Sequence, residues 1–255
     1  PAIQIVSVDF AAGTLELKRG PGHNGEPLPH SLVPGKPFKT DAQKAAIRRF
    51  ADEIVENGLG GTDRYLACRD ILLRRPPRVD GASAVGPLLD DSADLEGMSD
   101  LVGRMDSTCL LIQGPPGSGK TYSGSRVIVD LITAGKRIGV SANSHKAINN
   151  LLAGIEEAAV EKSVSFRGLK KGEDDKEFKS KLATAMIGNT GDNKALDSTN
   201  LDLVAGTAWY FCREESTHVD YLFIDEAGQI SLADALAMGT AARNVVLLGD
   251  PQQLA

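Results

Sequence analysis

The residues best suited to chemistry lie in GPPGSGKT, positions 114–121. The spacing G-x-x-x-x-G-K-[ST] suits a phosphate, because backbone N–H groups of a Gly-rich loop converge on its oxygens and the start of a following helix adds positive partial charge. Gly114, Pro115, Pro116, Gly117, Ser118 and Gly119 are therefore candidates for a nucleotide cradle. Lys120 is spaced to reach the β- and γ-phosphates, and Thr121 to offer its hydroxyl to Mg²⁺. In YLFIDEAGQ an apolar run ends in two carboxylates. Asp225 is the candidate to hold Mg²⁺ through its water shell, and Glu226 the general base that polarises an attacking water. In VVLLGDPQQLA a further apolar run ends in Asp250 and Gln253, expected beside the γ-phosphate, where an uncharged amide senses the phosphate without neutralising it. The chemistry implied is Mg²⁺-dependent hydrolysis of ATP, with Lys120, Glu226 and Gln253 as its catalytic candidates. Each stretch also has a plainer meaning: a Gly/Pro turn, two solvated acids, a turn after a buried strand. Their joint occurrence favours the chemical one.

Such groups need elements to hold them. Apolar runs at 109–113, 137–142, 203–208, 221–224 and 245–248 alternate with helical stretches, the pattern of a parallel sheet covered by helices in an α/β fold. Ahead of them, IQIVSVDFAAGTLELKRG alternates around Gly13 and predicts a β-hairpin, and GPGHNGEPLPHSLVPGKP reads as a linker. TDAQKAAIRRFADEIVENG predicts a helix with a Thr/Asp start, an apolar stripe through Ala46, Ile47, Phe50 and Ile54, and a stop at Gly58. One or two more helices are expected within 62–106. The charged, Gly/Asn-rich stretch at about 165–200 reads as a helix-containing surface insertion with solvated charges. The expected division is thus 1–38 hairpin and linker, 39–106 helical lead-in with an insertion, and 107–255 the ATPase.

Composition sets the limits. With 255 residues, 42% hydrophobic and 24% charged, the chain can bury a sizeable core. Its net charge of −6 gives no global attraction for nucleic acid, so any such binding must use a local groove. No apolar stretch is long enough for a membrane span and no signal pattern opens the chain, so a cytoplasmic location without membrane partners is the expectation. Cys68, Cys109 and Cys212 lie far apart without CxxC spacing and read as reduced and structural.

Over about residues 107–255 the ordered motifs resemble those of a superfamily 1 helicase of the up-frameshift-like branch, which includes the flap-processing helicase–nucleases. QGPPGSGKT resembles motif I, VSANSHKAINNLL motif Ia, VAGTAW motif Ic, FIDEAGQ motif II and LLGDPQQL motif III. The wording of GKRIGVSANSHKAINNLL and LVAGTAWYF is similar to that of bacterial proteins carrying a RecB-like nuclease region before the helicase. The resemblance implies a RecA-like P-loop domain, the first motor domain of a translocating enzyme, with the hairpin as a remnant of an accessory barrel. It implies ATP and Mg²⁺ as cofactors and single-stranded DNA or RNA as partner, with Ser141, Asn143, His145, Lys146 and Thr207 near the strand. SANSH also reads as a helix cap needing no ligand. Trp209 reads as a core residue, with base stacking as the alternative. Gln43 is the candidate for reading adenine, though it stands about seventy residues before the loop and equally suits a surface helix. A chain running from Pro1 to Ala255 is expected to be one piece of a longer protein. The resemblance places the second RecA-like domain, with its arginine fingers, and an upstream nuclease domain outside it. The competing function is a P-loop regulatory switch that unwinds nothing.

Overall fold

The computed structural model describes residues 4–18, 20–23, 25, 27, 39–60, 64–81, 88–89, 94–115, 117–216 and 218–250. They fall into two compact units, Pro1–Lys39 and Thr40–Ala255.

In the first unit, β1 (Gln4–Asp9) and β2 (Thr14–Lys18) pair antiparallel. The turn between them is closed by Asp9, whose Oδ1 accepts from the backbone N–H groups of Ala11 and Ala12 at 2.9 and 3.0 Å. Gly13 then takes a φ of 65°, a left-handed conformation that glycine reaches at little steric cost. Among the described residues this unit is a two-stranded hairpin and not a closed barrel.

The second unit is an α/β RecA-like P-loop domain. In chain order it contains α1 (Asp41–Asn57), α2 (Leu66–Leu73), α3 (Leu95–Gly103), β3 (Cys109–Gln113), α4 (Lys120–Thr133), β4 (Ile138–Ser141) and α5 (His145–Glu161). There follow β5 (Gly168–Lys171), β6 (Ile187–Thr190), α6 (Asn193–Leu196), β7 (Leu203–Ala205), α7 (Ala208–Phe211), β8 (Val219–Ile224), α8 (Leu232–Gly239) and β9 (Ala242–Gly249). The strands form one sheet in the order β3-β9-β8-β4-β7-β5-β6, every pairing parallel.

The period of two along each strand sorts side chains onto two cores. Ile138, Val140, Leu203, Tyr221, Phe223, Val246 and Leu248 face one, where α4 and α5 contribute Val127, Ile128, Leu131, Ile148, Leu151 and Ile155. Val204, Leu222, Ile224 and Val245 face the other, with Ala46 of α1, Phe211 of α7 and Met238 of α8. Full burial of each large aliphatic contributes about 1.5–3 kcal/mol, so both helix layers are held by apolar contact.

The helical lead-in is part of this packing. Leu101 and Val102 of α3 enter the first core and Ala67 of α2 the second. Asp70 of α2 accepts from the Thr108 hydroxyl at 2.6 Å and pairs with Arg78 at 2.9 Å, which fixes the segment against the start of β3.

The stretch expected as a surface insertion at 165–200 instead completes the sheet. β5 pairs with β7 and β6. Glu156 of α5, 2% exposed, accepts from the backbone N–H groups of Met186 and Ile187 at 2.9 and 3.2 Å, and so holds the start of β6. The strands were hidden because each has only four residues and the buried positions of β5 are Gly168 and Lys170. No apolar alternation is left to read.

Cys68 and Cys212 are buried, Cys109 is half-buried, and all three are free thiols. Burial pushes the Cys109 and Cys212 thiols up to about 12, and Cys68 higher still. No described helix is long and apolar enough to cross a membrane.

Candidate active site

β3 runs directly into the glycine loop, where the N–H of Gly114 donates to the carbonyl of Gly249 at the end of β9, 3.3 Å away. Gly117 and Gly119 have φ of 79° and 83°, the left-handed region that a side chain would strain. At Gly114 a Cβ would overlap the Ser118 hydroxyl, so the loop closes on itself only without one. α4 starts at Lys120, immediately behind the loop. Lys120 Nζ donates to the carbonyls of Gly114 and Pro115, the second at 2.9 Å, so the ammonium is folded back onto its own loop. Pro116 lies outside the described residues, as does Gln253, the γ-phosphate sensor expected from the sequence.

β8 delivers the carboxylates. The N–H of Asp225 donates to Ser141 at the end of β4, 2.9 Å away, and the Asp225 side chain is 7% exposed. Burial pushes its carboxyl above the usual range, against the Glu226 N–H, the Lys120 charge and the Thr121 hydroxyl, all of which favour the ionised form. Thr121, Lys120 and Asp225 therefore meet, as the two motifs require. Glu226 sits half-buried at φ 52°, with its N–H donating to Asp225 Oδ1 at 2.9 Å. This left-handed residue turns the chain out of β8 and separates the two carboxylates by role: one faces the loop, the other starts the turn Ala227–Gln229.

The donor set fits a nucleotide and a divalent ion. Among the described residues no group of three or more His, Cys, Asp or Glu could hold a metal alone. Thr121 and Asp225 offer two hard oxygens, and Mg²⁺ normally completes such a site with phosphates and water.

Asp250, 6% exposed, follows directly on β9 beside this turn. A Cβ on Gly228 would stand 2.6 Å from the Asp250 carbonyl oxygen, backbone against backbone. Gly228→Ala is therefore expected to force the two loops apart and to destabilise the protein by about 1–3 kcal/mol, the usual cost of overpacking. Denaturant unfolding measures it, and an unchanged midpoint would contradict the close approach.

The residues expected near nucleic acid separate. Ser141 is fully buried, with its hydroxyl donating to Met238 Sδ at 3.3 Å, and is removed from the contact set. β4 lies inside the sheet and is buried on both faces, so no position of it, Ser141 included, reaches solvent. Ser144 caps α5, accepting from the Ala147 N–H at 3.1 Å, so the capping role of SANSH belongs to this residue. Asn143 and Lys146 are exposed. His145 and Thr207 come together on one cleft of about 340 Å³, which also takes in Lys171 and Trp209. Trp209, expected in the core, is 46% exposed, while Tyr210 and Phe211 after it are buried. Burial lowers the His145 pKa, helped by the charges of Lys170 and Lys176 and opposed by Asp175. These influences favour the neutral, hydrogen-bonding form of the ring.

Two residues gained meaning only in three dimensions. Gln229, three residues after Glu226, accepts from the Asn143 amide at 2.6 Å and so joins the carboxylate turn to the motif Ia stretch. Nothing in its sequence position signalled that partner. Gln43 on α1 is 5% exposed and not on the surface, and its Oε1 has no hydrogen-bond partner among the described residues. An unpaired buried amide oxygen is costly, which is consistent with a group kept for a ligand.

A family model for the AAA domain matches residues 100–255. The chain is 30% identical over 151 residues to the DNA replication ATP-dependent helicase/nuclease DNA2 of Saccharomyces cerevisiae. The match covers 56% of this chain and 10% of that protein's length. Among solved structures, a nuclease-deletion mutant of the Type ISP restriction-modification enzyme LlaGI in complex with a DNA substrate mimic aligns at 16% identity and a TM-score of 0.41. That alignment covers 56% of this chain and 15% of the other.

Proposed function

We propose, from the premise that this chain belongs to the AAA domain family, that it is a helicase-type motor domain that hydrolyses ATP to move along single-stranded nucleic acid. The observation carrying the reading is the hydrogen bond from Asn143 to Gln229. It links the turn that begins at the general-base candidate to the stretch that resembles a strand-contacting motif. A change at the γ-phosphate thus has a two-residue route to the strand.

In this reading the loop 114–121 cradles the phosphates, and Lys120 exchanges its two carbonyl partners for phosphate oxygens. Thr121 and Asp225 hold Mg²⁺, which when bound neutralises charge developing on the phosphates. Glu226 orients and polarises the attacking water. Asp250 and Gln253 border the γ-phosphate, and Gln43 offers its unpaired Oε1 to the adenine amino group. A second RecA-like domain supplies the facing wall and its arginine. Asn143, His145, Lys146 and Thr207 contact the strand. The finer assignment is the up-frameshift-like, flap-processing branch of superfamily 1, with a nuclease region in the same polypeptide and a cytoplasmic location. The relative's name, a DNA replication helicase/nuclease, favours DNA.

The test is the affinity of the chain for a single-stranded oligonucleotide with and without Mg²⁺ and a non-hydrolysable ATP analogue. Nucleotide is expected to shift that affinity about fivefold or more, the lower range of ordinary coupling energies, and Asn143→Ala to abolish the shift while leaving nucleotide affinity unchanged. Lys146→Ala should weaken strand binding and reduce the salt slope by about 1, whereas His145→Ala, removing a neutral ring, should leave the slope intact. Strand binding that ignores nucleotide in the wild type would favour a regulatory switch.

A further inference from the structure

Resting on the reading that this chain binds a single strand, we propose that Trp209 is a stacking platform that takes one unpaired base of that strand into the cleft beside β7. No motif resemblance assigns the residue this role. Its placement does.

The cleft is built where the parallel strands end. Along the sheet order β4-β7-β5-β6, the segments that follow these strands each contribute to its lining: His145 after β4, Thr207 and Trp209 after β7, Lys171 at the end of β5, and Asn193 after β6. Its volume of about 340 Å³ is at the low end for small-molecule sites and suits one nucleotide rather than a duplex. Within the four residues of α7, Phe211 is fully buried and Tyr210 is 2% exposed, but Trp209 is 46% exposed. The helix is pinned by its neighbours. Tyr210 donates to Asp197 at 3.0 Å, and Arg213 pairs with the same carboxylate at 3.1 Å with its guanidinium 5.6 Å from the Tyr210 ring centroid. The indole is thus presented by an anchored support, and little further ordering is needed when a flat ring meets it.

Charge outside the cleft orients the strand. Within it Glu173, Asp174 and Asp175 are offset by Lys171, Lys176 and Arg213, which line it as well. Beyond it, Lys146 and the N–H groups at the start of α5 lie on the β4 side and favour phosphates there. The sugar–phosphate chain therefore follows the β4 and β7 loop side, and a base turned inward from it meets Trp209. Stacking on one aromatic ring tolerates every base, which suits a protein that must move along any sequence.

Trp209 is the one tryptophan of the chain, so its emission reports on this position alone. The probes are a short oligo(dT) and an abasic phosphodiester of equal length and charge, each followed by tryptophan emission and, with an end label, by anisotropy. Oligo(dT) is expected to quench the emission saturably. The abasic strand should bind, as seen by anisotropy, with little quenching. Trp209→Ala should weaken oligo(dT) binding about tenfold and leave abasic binding unchanged, and Trp209→Phe should recover most of the loss. Oligo(dT) binding without any emission change, or an equal loss for both strands in Trp209→Ala, would overturn the stacking proposal while leaving strand binding in place. If neither strand binds the wild-type chain, the single-strand reading itself fails, and the stacking proposal with it.

Discussion

Lys120→Ala is expected to weaken ATP binding by about ten- to a hundredfold, the worth of one lost charge-assisted hydrogen bond, and to lower hydrolysis by about a further 10²–10³, the usual loss when one donor to developing charge is removed. The geometry adds a second expectation. This ammonium donates to the carbonyls of Gly114 and Pro115, so it also braces its own loop. Those carbonyls are next to solvent and water replaces the lost donor, so thermal stability should stay within about 0.5 kcal/mol of wild type, as for surface substitutions. Isothermal titration with ATP–Mg²⁺ and a thermal melt give both quantities. Undiminished affinity at unchanged stability would remove the phosphate-loop assignment.

The two carboxylates at the end of β8 should separate in their effects. Glu226→Gln is expected to retain ATP affinity and to slow single-turnover hydrolysis by about 10²–10⁴, the contribution of a positioned general base. Asp225→Asn should instead weaken nucleotide binding in the presence of Mg²⁺ and have little effect in its absence. The structure gives the reason for the asymmetry. Asp225 is buried against Thr121 and Lys120, whereas Glu226 begins a turn and is half-buried. Because burial raises the Asp225 carboxyl, acidification protonates it earlier than an exposed aspartate, and Mg²⁺-dependent affinity should fall as pH drops through that raised value. For stability the sign is opposite: a raised pKa favours the fold at low pH, and that contribution is lost as pH rises through the folded-state value. Identical nucleotide affinities for the two variants would contradict the division of roles.

The loop glycines were legible in the sequence because a turn of this kind ties residue type to spacing. A loop that must present N–H groups needs glycine at Gly117 and Gly119, and both have the positive φ that explains it. Strand positions followed from apolar runs wherever a strand is buried on both faces, as at β8, where all but one position is buried. Strands that bury something else carry no such run. β5 hides a lysine, and β6 begins on a glutamate reaching over from α5. Side-chain direction was the other weak point. Ser141 ends a strand buried on both faces and so lies inside, whereas in the short α7 the buried Tyr210 and Phe211 leave Trp209 outward. Composition is blind to such one-residue changes of face.

The three buried thiols bear on how these experiments can be run. With pKa values pushed to about 12 for Cys109 and Cys212, and higher for Cys68, almost no thiolate exists at neutral pH to attack a maleimide. The native chain is therefore a silent background for labelling. One cysteine introduced at an exposed position, such as Lys136 or Arg243 on the rim away from the loop, would take a dye or a surface tether stoichiometrically. No native cysteine would first have to be replaced, and the packing of Cys68 beneath α8 would be left as it is.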